Sequence, residues 1–194
     1  MNIIYKQLYS CGYIKYGYSG NYESRSKSYK THTGDLILKT IEFPNKDKAD
    51  ELAIHEYLIR FLGLQPVEGC KEIFRDPGSL GLIDDDLTLE TFYRHLHTLN
   101  YIPPGSGKIA GLLKKRIQSL HILFDNKEVD EYTINAMSNL ICSWDGGVGQ
   151  NNIFVKARSD HQYRNKIMSS GLTVQDLLDV WFRWDWEILK KKGL

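Results

Sequence analysis

A phenol, an amine, a guanidinium, a carboxylate and an imidazole stand at Tyr5, Lys15, Arg25, Glu51 and His55, within the first third of a 194-residue chain. That is more reactive chemistry than a small scaffold requires. An ammonium held beside a tyrosine hydroxyl stabilises the phenolate, lowering a pKa that is otherwise about 10. Whether these groups act together depends on the elements that carry them.

Ile3-Ile4-Tyr5 opens a strand-like run, Ser10-Cys11-Gly12 supplies a turn, and Tyr13 to Tyr18 reads as the returning strand of a hairpin. Side chains alternate along a strand, so Lys15 and Gly17 share one face while Tyr16 and Tyr18 share the other. Lys15 can serve Tyr5 only if the hairpin register puts both on one face. Ser19-Gly20-Asn21 is a turn that can cap a short helix from Tyr22 to Lys30, with Arg25 and Tyr29 on the same side. Asp35 to Phe43 alternates as a third strand, and Pro44-Asn45 starts a long helix reaching about Leu62. On that helix Glu51, Ile54, His55 and Leu58 follow the i, i+3, i+4, i+7 rule, which sets an acid and an imidazole along an apolar line. The expected fold is α+β: a small three-stranded antiparallel sheet flanked by helices, followed by a mainly helical domain.

This arrangement resembles the GIY-YIG nuclease family, and more closely its phage-type branch, in which lysine stands where the second motif usually has tyrosine. Ile3-Ile4-Tyr5 is similar to the first motif, Lys15-Tyr16-Gly17 to the second, and Glu51 to His55 to that branch's Glu-x-x-apolar-His helix. Arg25 follows at the family's spacing, and Lys71-Glu72-Ile73-Phe74 looks like the short closing strand. Ile3 replaces the first glycine and Lys15 the second tyrosine. The resemblance implies a metal-dependent endonuclease acting on DNA. Tyr5 would be the general base, helped by Lys15, and Glu51 would hold a Mg2+ (or Mn2+) ion that steadies the leaving oxygen. Arg25 would face the phosphate, because its planar fork suits that group. His55, Tyr29 and His32 would order water or contact phosphate. A single carboxylate suits magnesium, which keeps most of its waters.

Plainer readings stand beside these. Tyrosine is abundant at 12 residues, and aromatic side chains pack well on half-buried strands whatever their chemistry. Glu51 and His55 on any amphipathic helix would form a solvated i, i+4 pair. Glu56 and Glu72 are fallback metal ligands. With these taken alone, the amino-terminal third would be a catalytically inactive DNA-binding module, or part of a protein-protein interaction protein.

Composition sets the outer limits. A formal charge of +1 excludes a general polyanion binder, so any nucleic-acid surface must be local. Cys11, Cys70 and Cys142 show no Cys-x-x-Cys spacing, which argues against a zinc site or disulfide framework and for a reducing compartment. The first residues lack a signal peptide's apolar run and no segment has the length to span a bilayer. The expectation is a cytoplasmic protein with DNA, not membrane, as its partner.

Loop-forming residues from Gly63 to Asp86 place a domain boundary near residue 80. We therefore expect a nuclease-like domain at 1–80 and a helical domain at 81–194 for target recognition or oligomerisation. Helical periodicity runs through Leu87 to Leu99, Ile109 to Phe124, Val129 to Cys142, His161 to Met168 and Thr173 to Lys191. Gly105-Ser106-Gly107-Lys108 lacks the serine or threonine of a phosphate loop and reads as a turn entering a helix. The tryptophans near the carboxyl terminus read as core or subunit contact. Lys114, Lys115 and Arg116 on one helix, and Lys156 and Arg158 after the glycine-rich stretch, are candidate phosphate contacts. With one site per chain, cutting both strands calls for a homodimer or two successive nicks.

Overall fold

A tight turn sets the hairpin. Gly12 takes φ +80°, a region that penalises any side chain, and its N–H donates to the Tyr9 carbonyl at 3.0 Å. The flanking strands, β1 (Ile3–Tyr9) and β2 (Tyr13–Ser19), pair from Ile3 opposite Ser19 to Leu8 opposite Ile14. Strand β3 (Ile37–Pro44) joins the free edge of β1, and β4 (Ile73–Arg75) joins β2. The structure is a computed structural model and describes residues 2–21, 37–44, 46–75, 88–144 and 152–194.

The sheet is antiparallel throughout, with strand order β3-β1-β2-β4. The expected three strands are thus corrected to four. Three residues are too few to show an alternation, so Ile73–Arg75 is made a strand by its pairing with Tyr13, Ile14 and Lys15. Because β1 has a neighbour on each side, it is buried almost from end to end, polar Lys6 and Gln7 included.

Helix α1 (Lys48–Glu56) begins later than Pro44 suggests. Asp47 is its cap, accepting from the N–H groups of Ala49 and Asp50, while Asp50 accepts from the N–H of Asp47. This reciprocal box satisfies orphan donors of the first turn. The helix continues into a wider π-type turn at Tyr57–Phe61, and together they bury Ala49, Ala53, Ile54, Tyr57 and Leu58. Helix α2 (Leu89–Thr98) lies against it: the Tyr93 hydroxyl donates to Asp50 Oδ1 at 2.9 Å, and the Phe92 ring meets Tyr57 and Tyr16 edge-on.

The chain forms two compact units, 1–100 and 101–194. Residue 80 falls outside the described residues, and α2, expected to open the second domain, belongs to the first. In the second unit α3 (Lys108–Asp125), α4 (Glu131–Ser143), α5 (Ile153–Ala157), α6 (His161–Met168), α7 (Val174–Phe182) and α8 (Glu187–Lys191) follow in order. Capping boxes at Asp130 with Thr133 and at Thr173 with Asp176 start α4 and α7. The single helix expected over Thr173–Lys191 is broken in two. The first piece ends at Phe182, and Trp184 sits at φ +59°, off the helical path, its ring 4.3 Å from that of Trp144 and 5.3 Å from that of Trp186. No helix among the described residues is long and apolar enough to cross a membrane.

The Asp50–Tyr93 bond is buried at both ends, so removing the hydroxyl deletes a hydrogen bond that water cannot replace. Tyr93→Phe should lower stability by about 1–3 kcal/mol. The measurement is denaturant unfolding of the full chain, read as a lower midpoint at constant slope.

Candidate active site

The hairpin register answers the question of faces. Tyr5 pairs directly with Gly17 and Gln7 with Lys15, so Tyr5, Gly17 and Lys15 lie on one side of the sheet. Tyr5 is fully buried and its ring leans across β2: a methyl group at Gly17 would lie 2.3 Å from Tyr5 Oη and 2.5 Å from Cζ. Only a residue without Cβ lets the phenol occupy that place. The glycine is needed for space, not for backbone freedom.

Lys15 is buried on the same face of the sheet, and its ammonium is 3.5 Å from Glu72 Oε2. Glu72, a fallback metal ligand in the sequence, is thus placed on the lysine. Glu56, the other fallback, accepts from Arg60 Nε at 3.0 Å on the helix surface. Tyr16 points to the opposite face, under Phe92 and Lys6. Burial, with the nearby Tyr57 phenol adding, pushes the Tyr16 hydroxyl well up, so it keeps its proton.

Helix α1 reaches the sheet through His55. Its Nε2 is 3.1 Å from the Tyr16 carbonyl oxygen, and because a carbonyl only accepts, Nε2 carries the proton and donates. The ring also packs on Phe74, with centroids 5.6 Å apart. The imidazole is therefore fixed at the peptide joining Tyr16 to Gly17, the glycine over which the Tyr5 hydroxyl lies. Burial lowers the His55 pKa, partly offset by the Tyr16 carbonyl and by Glu72 and Glu56, which raise it. Glu51 sits one turn earlier on α1, half-buried, with its Oε1 screened from solvent.

Arg25, Tyr29 and His32 lie outside the described residues. Among those described, no group of three or more His, Cys, Asp and Glu side chains converges as a metal cage. A lone carboxylate such as Glu51 fits only a hard cation that draws its other ligands from water and substrate oxygens.

The basic candidates of the second unit separate. Lys114 and Lys115 are exposed on α3, whereas Arg116 is fully buried. Its Nε donates to Ser143 Oγ at 3.0 Å, its Nη2 donates to the Ser143 carbonyl at 2.9 Å, and the guanidinium stacks 5.4 Å from the Trp181 ring. The expectation that Arg116 contacts phosphate is thereby corrected: it fastens α4 to α3 from within. Helical phase explains this, since Arg116 shares a face with buried Leu113, Leu120 and Leu123. Lys156 lies over the Tyr163 ring, while exposed Arg158 and Lys115 line the same groove.

No family model, curated protein or solved structure gives a significant match to the chain.

Two outcomes follow from this geometry. Gly17→Ala must push the Tyr5 ring aside, so any activity that uses the phenol should fall at least as far as in Tyr5→Phe, while circular dichroism still shows the α+β fold. The His55 pKa is lowered in the folded state, so its contribution to stability is complete above about 6.5 and is lost as pH falls below it. Urea midpoints measured from pH 7 down to pH 5 should therefore drop more steeply for the wild-type chain than for His55→Gln.

Proposed function

We propose that the chain is a metal-dependent endonuclease of the GIY-YIG type, hydrolysing phosphodiester bonds in DNA. The observation that supports this best is the placement of the Tyr5 hydroxyl over Gly17, with Lys15 on the same face and His55 anchored at the adjoining peptide. These four residues come from β1, β2 and α1.

In this reading Tyr5 accepts a proton from the water that attacks phosphorus. Lys15 supplies the positive charge that favours the phenolate, and Glu72 holds the lysine in position. Neutral His55 keeps the Tyr16–Gly17 strand seated against α1, which fixes the surface on which the phenol rests. Arg25 would neutralise the phosphate oxygens as the attack builds negative charge on them. Glu51 would hold a Mg2+ or Mn2+ ion, which when bound supplies Lewis-acid stabilisation of the departing oxygen. Tyr29 and His32 would contact the strand being cut.

A plasmid-nicking assay with Mg2+ or Mn2+ tests this. Wild-type protein should nick, and Tyr5→Phe and Glu51→Ala should lose at least about 100-fold of the rate while still binding DNA. Equal nicking by wild type and Tyr5→Phe would overturn the assignment of the base. Binding without cleavage in either metal would leave a DNA-binding module in place of an enzyme.

A further inference from the structure

In the second unit a groove of about 480 Å³ runs between α3 and α4 and reaches the end of α5. Its walls carry Lys115 and Gln118 from α3, Asn139 and Cys142 from α4, and Arg158. No aspartate or glutamate is among the described residues that line it. Its volume lies within the range of ligand sites, about 300–1,000 Å³. Two cations from distant stretches of sequence therefore converge on one concavity, where solvated lysines on a convex helix would diverge.

We propose that this groove binds a phosphodiester segment of a DNA strand. Lys115 and Arg158 neutralise backbone phosphate, the guanidinium gripping two oxygens at once. Gln118 and Asn139 each offer an amide N–H and a carbonyl, suited to phosphate oxygens or to base edges. Leu112 and Ile122 supply apolar wall for sugar or base faces. Arg116 keeps the groove in shape from behind, because its bonds to Ser143 fix the end of α4 against α3. Phosphate chemistry alone also suits a free nucleotide, so the test separates the two sources. The proposal stands apart from the catalytic reading of the first unit, since binding is measured without divalent metal and no cleavage is read.

A fluorescently labelled duplex is titrated with full-length protein in EDTA over a series of salt concentrations. For Lys115→Gln/Arg158→Gln, the slope of log affinity against log salt should fall by about 2, roughly 0.9 per lost phosphate contact. Lys127→Gln, exposed in the same unit but outside the groove, should leave the slope unchanged. Exposed Cys142 is a built-in reporter: bound duplex should slow its alkylation, measured by mass spectrometry, and the double variant should abolish that protection. Protection by a nucleoside monophosphate but not by duplex would overturn the strand as the occupant. The absence of DNA binding, or a double-variant slope equal to the Lys127→Gln value, would overturn the groove as a phosphate site.

Discussion

The missing side chain at Gly17 is the constraint from which the amino-terminal unit is built. Tyr5 stands on the most buried strand of the sheet, and its phenol has nowhere to go but across the neighbouring strand. A fully buried ring of this size carries a large apolar contact area, with a polar tip that must be met by polar surroundings. Gly17 leaves the space in which that tip lies, buried on the face shared with Lys15. Sheet register is normally defended by the alternation of apolar residues. Here a slip by one residue would also set Tyr16 or Tyr18 opposite Tyr5 in place of the residue that has no Cβ.

From that point the unit is tied together in a short relay. The peptide next to Gly17 accepts from His55 on α1, Asp50 on the same helix accepts from Tyr93 on α2, and Phe92 of α2 returns to the sheet at Tyr16. Sheet, first helix and second helix each touch the other two. The polar members of this circuit sit where the apolar ones exclude water, which strengthens each bond and raises the cost of breaking it. Burial lowers the pKa of the histidine in this circuit and so couples it to pH.

Much of this was legible in the residues. The Ser10-Cys11-Gly12 turn, the two strands beside it, the face shared by Lys15 and Gly17 and the helix carrying Glu51 and His55 all follow from turn chemistry and periodicity, whereas the side on which Tyr5 joins them needs the register. So do the capping start at Thr173 and the turn at Gly105 to Gly107. Other features could not be read in that way. Strand β4 is too short to carry a pattern, and only the family resemblance at Lys71 to Phe74 points to it. The start of α1 was legible in Asp47 and Asp50 but is masked by the more conspicuous Pro44. Arg116 shows why charge in a sequence is a poor guide to surface. It sits between two exposed lysines and an apolar stripe, and only the stripe tells its direction. The groove joining Lys115 to Arg158 depends on tertiary packing and leaves no trace in local spacing, while Arg25, Tyr29 and His32 lie outside the described residues.

All four tryptophans, at 144, 181, 184 and 186, belong to the second unit, and most of the tyrosines belong to the first. Close indole packing, such as the 4.3 Å approach of Trp144 and Trp184, couples the rings' electronic transitions. The two halves of the chain thus carry different optical signatures. Indole emission reports on the helical half, and the tyrosines report chiefly on the sheet half.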